Sequence, residues 1–143
     1  MTELNRAGMI VSASSSVHAM TDVTGFGLLG HLIEMCEGSG VSARIRYTDI
    51  PLLPGIGKYM DQFIFPDNTY RNWNSFEQKV IGVNGPEFIT LSDPQTSGGL
   101  LISVEHSSLD YLLEIPGLEE LKKSFMVIGK MIPRENFTVE IIK

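Results

Sequence analysis

One stretch constrains the fold of this chain more than any other: Thr21-Asp22-Val23-Thr24-Gly25-Phe26-Gly27-Leu28-Leu29-Gly30-His31. It places an acid, two hydroxyls and three glycines at one point, then runs directly into an apolar helix. Apolar residues from Gly27 to Glu37 fall at Leu28, Leu29, Leu32, Ile33, Met35 and Cys36. Those steps of three and four residues are helical. Gly38 and Gly40 supply the stop. A glycine-rich turn before a helix exposes backbone N–H groups, and the helix start carries a partial positive charge. A second stretch has the same make-up far down the chain: Ser92-Asp93-Pro94-Gln95-Thr96-Ser97-Gly98-Gly99-Leu100-Leu101. It leads into an apolar run, Leu100–Val104, that reads as a buried strand.

The remaining elements frame these two turns. Residues 4–11 have the spacing of a short helix, which ends softly in Ser12–Ser16. Val17–Met20 reads as a short strand. Val41–Tyr47 alternates apolar and polar residues and is the clearest strand in the chain. Pro51 and Pro54 bracket a turn, and a short helix opens near Pro54. Phe63–Ser75 reads as a long polar loop, of the kind that is mobile or functional. Lys79–Val83 and Phe88–Leu91 are short apolar stretches around Asn84-Gly85-Pro86. Ser107 or Ser108 can cap a helix carrying Leu109, Leu112 and Leu113. Leu118–Phe125 has helical spacing, and 126–131 and 137–142 read as closing strands. Strands and helices interleave, which predicts an α/β or α+β layered fold.

Two readings of the first turn stand side by side. In one, the turn holds phosphate, and Asp22 takes part through a bridging Mg²⁺, because hard cations join carboxylate and phosphate oxygens. In the other, Asp22 or Thr24 caps the helix and the glycines only permit close packing. Gly25-x-Gly27-x-x-Gly30 also fits a dinucleotide fingerprint, but polar Thr21 and Asp22 interrupt the strand that should precede it. The second turn is either an anion site built on Thr96, Ser97, Gly98 and Gly99, or a polar turn using the freedom of its glycines. Two such turns in one small chain favour a shared ligand. Arg71 and Asn72 could grip phosphate oxygens or face solvent. His18 reads as a strand residue, His31 as a helix residue and Cys36 as a core thiol.

Composition narrows the classes. The chain has 143 residues, with 43% apolar and 20% charged, enough for one domain with a real core. A net charge of −6 argues against nucleic-acid and anionic-membrane partners. The single cysteine rules out an internal disulfide, in keeping with a reducing compartment. No apolar run reaches membrane-spanning length.

Thr21–His31 and Ser92–Leu101 together resemble the selenophosphate synthetase (selenide, water dikinase) family, of the superfamily that includes aminoimidazole ribonucleotide synthetase. Asn68-Thr69-Tyr70-Arg71-Asn72 is similar to the family's Gly-Gly-Thr-x-Arg-Asn loop, except that Asp67-Asn68 stands where two glycines are usual. Met1–Ala7 and Val127-Ile128-Gly129 also resemble family counterparts. The resemblance spans 1–143 as a single C-terminal domain. It implies a three-layer α/β/α fold with a mixed sheet, and a partner N-terminal domain bearing a glycine-rich ATP segment and a catalytic cysteine or selenocysteine near a lysine. That domain is absent from this chain, which is therefore expected to be inactive alone. By resemblance, Asp22 binds Mg²⁺ at the ATP phosphates, and Thr24, Gly25 and Gly27 form the turn beside it. Thr69, Arg71 and Asn72, and Asp93 through Gly99, match further family segments; that Thr69, Arg71, Asn72, Asp93, Thr96, Ser97, Gly98 and Gly99 contact phosphate is inferred from their chemistry and not carried over from the family. The implied enzyme is a cytoplasmic homodimer that makes selenophosphate, AMP and phosphate from ATP, selenide and water. The alternative is a non-catalytic phosphate-binding, nucleotide-binding or assembly domain of the same superfamily.

Overall fold

A computed structural model of the chain describes residues 5, 7–116, 118 and 121–143. Among the described residues, six strands and six α-helices follow in this order: α1 (Ala7–Val11), β1 (Val17–Asp22), α2 (Gly27–Ser39), β2 (Val41–Arg46), α3 (Ile56–Met60), α4 (Asp67–Phe76), β3 (Val80–Ile81), α5 (Glu87–Leu91), β4 (Leu100–Val104), α6 (Leu109–Leu113), β5 (Gly129–Pro133) and β6 (Val139–Ile142). The strands form two sheets. β1 and β4 pair antiparallel, and the larger sheet runs β3-β6-β2-β5. In that sheet β6 is parallel to both β2 and β3, whereas β5 is antiparallel to β2. The expected mixed sheet and α/β class are therefore present.

Helix α2 is the hub. Leu29, Leu32, Ile33, Met35 and Cys36 are all buried, along with Gly30 and His31. A helix buried nearly all round must have cover on several sides, and α2 touches β1, β2, β4, α4 and α5. Its end matches expectation: Gly40, at φ 67°, caps it with an N–H aimed at the Cys36 and Glu37 carbonyls. The main core joins α2 to Ala43 and Ile45 of β2, Val139 and Ile141 of β6, and Leu101 of β4. The opposite face of the β1/β4 pair packs Val17, Met20, Ile102 and Val104 against Val11 of α1 and Leu112 of α6. Helices thus lie on both faces of that pair.

Three segments differ from the sequence reading. Most of Phe63–Ser75 is not an irregular loop: Asp67–Phe76 is helix α4. Its inward residues are Thr69, Asn72, Trp73 and Phe76, spaced three and four apart, and two of them are polar. A rule that counts apolar residues does not register such a face. Phe88–Leu91 belongs to the short helix α5, and the helical pattern near Leu118–Phe125 becomes a 3-10 turn at Leu121–Ser124. Residues 119 and 120 of that pattern, 117 just before it, and 1–4 and 6 of the opening segment lie outside the described residues.

Candidate functional site

The two glycine turns interlock. β1 delivers Thr21 and Asp22 opposite Leu101 and Leu100 of β4. The pairing then continues past both strands through the main chain. The Val23 N–H donates to the Gly99 carbonyl at 2.9 Å, the Gly98 N–H to the Val23 carbonyl at 2.9 Å, and the Gln95 N–H to the Thr24 carbonyl at 2.9 Å. The Gly27 N–H closes the first turn on the Thr24 carbonyl at 3.0 Å.

Glycine is needed where the turns meet. Gly27 has φ +69°, and a Cβ there would lie 2.7 Å from the Ser92 carbonyl carbon and 2.9 Å from the Asp93 carbonyl oxygen. A Cβ on Gly98 would lie 2.9 Å from the Val23 carbonyl oxygen. Each turn thus occupies the space that the other's glycine leaves free. Gly30 serves packing of another kind, since its Cβ would meet Phe26 and the Phe76 ring. At Gly25 a Cβ would meet nothing within 4 Å, and φ lies outside the left-handed range. Only Gly25, of the three glycines in the fingerprint spacing, is not spoken for by the fold. Because β1 pairs antiparallel with β4 and lies in a different sheet from β2, the parallel strand–helix–strand unit of a dinucleotide fold is not formed here.

Helix α4 lies across the join. Thr69 is fully buried, and its hydroxyl donates to Asp93 Oδ1 at 3.3 Å. One helical turn on, Asn72 Nδ2 donates to the Gly25 carbonyl at 2.8 Å and to the Ser92 carbonyl at 3.0 Å. Gln95 Nε2 donates to Asp93 Oδ2 at 2.6 Å. Burial pushes the Asp93 carboxyl above its ordinary pKa, opposed by the Thr69 and Gln95 hydrogen bonds. Thr24 Oγ1 lies 3.1 Å from His31 Nε2, and the other ring nitrogen faces Glu34 at 3.3 Å. His31 thus anchors the first turn from inside the helix.

The expected site residues separate into three groups. Thr24, Gly25, Gly27, Thr69, Asn72, Asp93, Gly98 and Gly99 are brought together at the join. Arg71 and Thr96 are exposed, and Ser97 is half-buried. Their side chains have no hydrogen-bond partner among the described residues, so they are available to a ligand. Asp22 is exposed and stands apart. By strand alternation it shares the Met20 face of β1, where it borders a shallow recess of about 450 Å³ with Gly8, Met9 and Ser12 of the α1 region. Its carboxylate has no ion-pair partner among the described residues, and no group of three or more His, Cys, Asp or Glu that could hold a metal occurs among them. Gln95 and His31 brace the two turns, and sequence reasoning gave neither of them that place. An amide two residues from Asp93 was the available signal for the first; a histidine seven residues after a turn threonine carries none.

A larger opening borders the join at Val23, Asp93, Gln95 and Gly98. A cleft of about 800 Å³ runs past Leu28 and Leu32 of α2, β4, and the segment leading into β5. Leu53 and Val127 on its border are 76% and 53% exposed. Cys36 is fully buried, and burial pushes its thiol up to about 11. A thiol in that state is no nucleophile.

Over residues 2–142 the chain matches the family described as "AIR synthase related protein, C-terminal domain". It is 43% identical over 142 residues to a protein of Bordetella bronchiseptica named "Selenide, water dikinase", which covers 99% of this chain and 41% of that protein. A protein of the same name from Sulfurimonas denitrificans is 42% identical over 142 residues, again covering 41% of its length. The chain therefore spans about two fifths of these relatives. Among solved structures, the crystal structure of Escherichia coli HypE, a hydrogenase maturation protein, superposes with a TM-score of 0.64 at 18% identity, covering 94% of this chain and 34% of that one. That likeness concerns the fold.

Proposed function

The chain belongs to the AIR synthase related protein C-terminal domain family, and from that premise we propose that it is the C-terminal domain of a selenide, water dikinase. The parent enzyme forms selenophosphate, AMP and phosphate from ATP, selenide and water. The likeness of about 40% over nearly the whole chain to proteins of that name supports this reading most strongly. An N-terminal domain supplies the nucleotide site and the nucleophile; the enzyme works in the cytoplasm as a homodimer. Nothing in this chain replaces the nucleophile, since the one cysteine is buried with its proton held. Alone, the chain binds and does not turn over.

Within that enzyme the join of the two turns closes over the triphosphate. The start of α2 offers main-chain N–H groups and the favourable end of the helix dipole. Gly25 leaves its face open for close approach, and Thr96, Ser97 and Arg71 add donors at the rim. Asp22 fits a Mg²⁺ role: it is exposed and has no cationic partner among the described residues, and Mg²⁺ commonly takes one or two carboxylates, with phosphate oxygens and water completing its shell. The ion would neutralise charge on the phosphates as they separate. Asp93 has a different task here. Its two oxygens are held by Thr69 and Gln95, so it fixes the second turn.

The test is Asp22→Ala in a full-length protein carrying this domain. Selenide-dependent AMP release is expected to fall by about 10²-fold or more, with an unchanged melting temperature. Near-normal AMP release would remove Asp22 from the site.

A further inference from the structure

The main-chain links between the two turns reach Thr24 and stop there. The next carbonyl, that of Gly25, is held by a side chain from a third element, Asn72 of α4. The same amide nitrogen holds the Ser92 carbonyl, at the entry to the second turn. We infer that Asn72 is a positioning residue that sets the Gly25–Phe26 peptide against the second turn, in place of the direct phosphate contact expected from the sequence. This rests on the reading of the join as a phosphate site.

Chemistry narrows what Asn72 can do. Its carboxamide nitrogen carries two protons, and the two carbonyls use both. No donor remains for a phosphate oxygen. Its position is also fixed, because Thr69, three residues earlier on the same face, is bonded to Asp93, while Trp73 and Phe76 pack on the main core. The peptide it grips is planar and trans, so its C=O and N–H point in opposite directions. Holding the Gly25 oxygen toward α4 turns the Phe26 N–H away from α4. That N–H has no acceptor among the described residues. Donation to the carbonyl also polarises the same peptide and strengthens its N–H as a donor. Asn72 thereby aims a donor that it does not itself carry.

Two measurements test this. In the ¹⁵N-labelled, ligand-free chain, Asn72→Ala and the isosteric Asn72→Asp should shift the Phe26 and Asp93 amide resonances, while Ser75→Ala, on the exposed side of α4, should not. In a full-length protein carrying this domain, the two Asn72 variants should raise KM for ATP about tenfold, the scale of one well-placed hydrogen bond. KM for selenide should stay unchanged. A loss of folded enzyme would scale kcat and leave KM alone. Shifted resonances with an unchanged KM for ATP would reduce Asn72 to a structural clasp and overturn the proposal. Unshifted resonances with a raised KM would make it a ligand contact and overturn it equally. Absence of selenide-dependent AMP release from the unsubstituted full-length protein would instead remove the functional reading, and the resonance result would stand by itself.

Discussion

The two glycine turns are alike in composition and opposite in use. Each has an acid near its start and hydroxyls and glycines after it. In the first, Asp22 faces solvent and no side chain among the described residues holds it; in the second, Asp93 is half-buried and gripped through both oxygens. The first turn runs into a helix start with spare N–H groups, whereas the second runs into a strand whose N–H groups pair with β1. Gly27 of the first is filled by the backbone of the second, yet Gly25, two residues earlier, is filled by nothing. The difference separates support from contact. The second turn and α4 hold the first turn in place and add Thr96, Ser97 and Arg71 at the rim, while the first turn leaves main chain open at Gly25.

Three measurements break or sharpen that contrast. The largest effect belongs to Gly27→Ala. It adds a left-handed φ penalty to a clash with backbone that cannot move aside, and should cost on the order of 4 kcal/mol in denaturant unfolding. A loss below about 1 kcal/mol would mean that the turns do not depend on this close approach. A smaller effect comes from Asp93. Its folded-state pKa lies above the ordinary 3.8, so the native state holds the proton more tightly than the unfolded chain. Its contribution to stability is full below the ordinary value and declines as pH rises through the raised one. The stability gap between wild type and Asp93→Asn, from urea unfolding at a series of pH values, should therefore move in favour of the variant as pH rises through that window. A gap independent of pH would mean that burial does not set the protonation of the Asp93 carboxyl. The smallest effect belongs to Gly25→Ala. With open space and no left-handed φ, it should be neutral or stabilise the chain by about 0.5 kcal/mol through the unfolded state. A marked loss of stability would show that the fold, not a ligand, claims that position.

Much of this was legible in the sequence. The apolar steps along α2, the alternation of β2 and the run of β4 mark their elements, because burial there is carried by apolar side chains. The two turns stand out by their glycines. The role of α4 was not legible, because its inward face is built of Thr69 and Asn72 beside two aromatic residues. Periodicity rules count hydrophobic surface, and that helix is held partly by hydrogen bonds to segments 20 to 47 residues away in sequence. The sorting of glycines was equally hidden. Gly25 and Gly27 are the same letter, and what distinguishes them is the left-handed φ of Gly27 and the Ser92 and Asp93 backbone beside it.

The order of strands in the larger sheet has a kinetic consequence. β6, formed by Val139–Ile142, is an interior strand, inserted parallel between β3 and β2. During synthesis, β2 and β3 wait unpaired on the sides meant for it until residue 142 has been made. Parallel pairing across nearly a hundred residues is slow to form, because the loop must close before its contacts repay the entropy. Until then the nascent chain exposes two strand edges that can pair with other chains, so its folding yield should depend on temperature and on chaperones during translation.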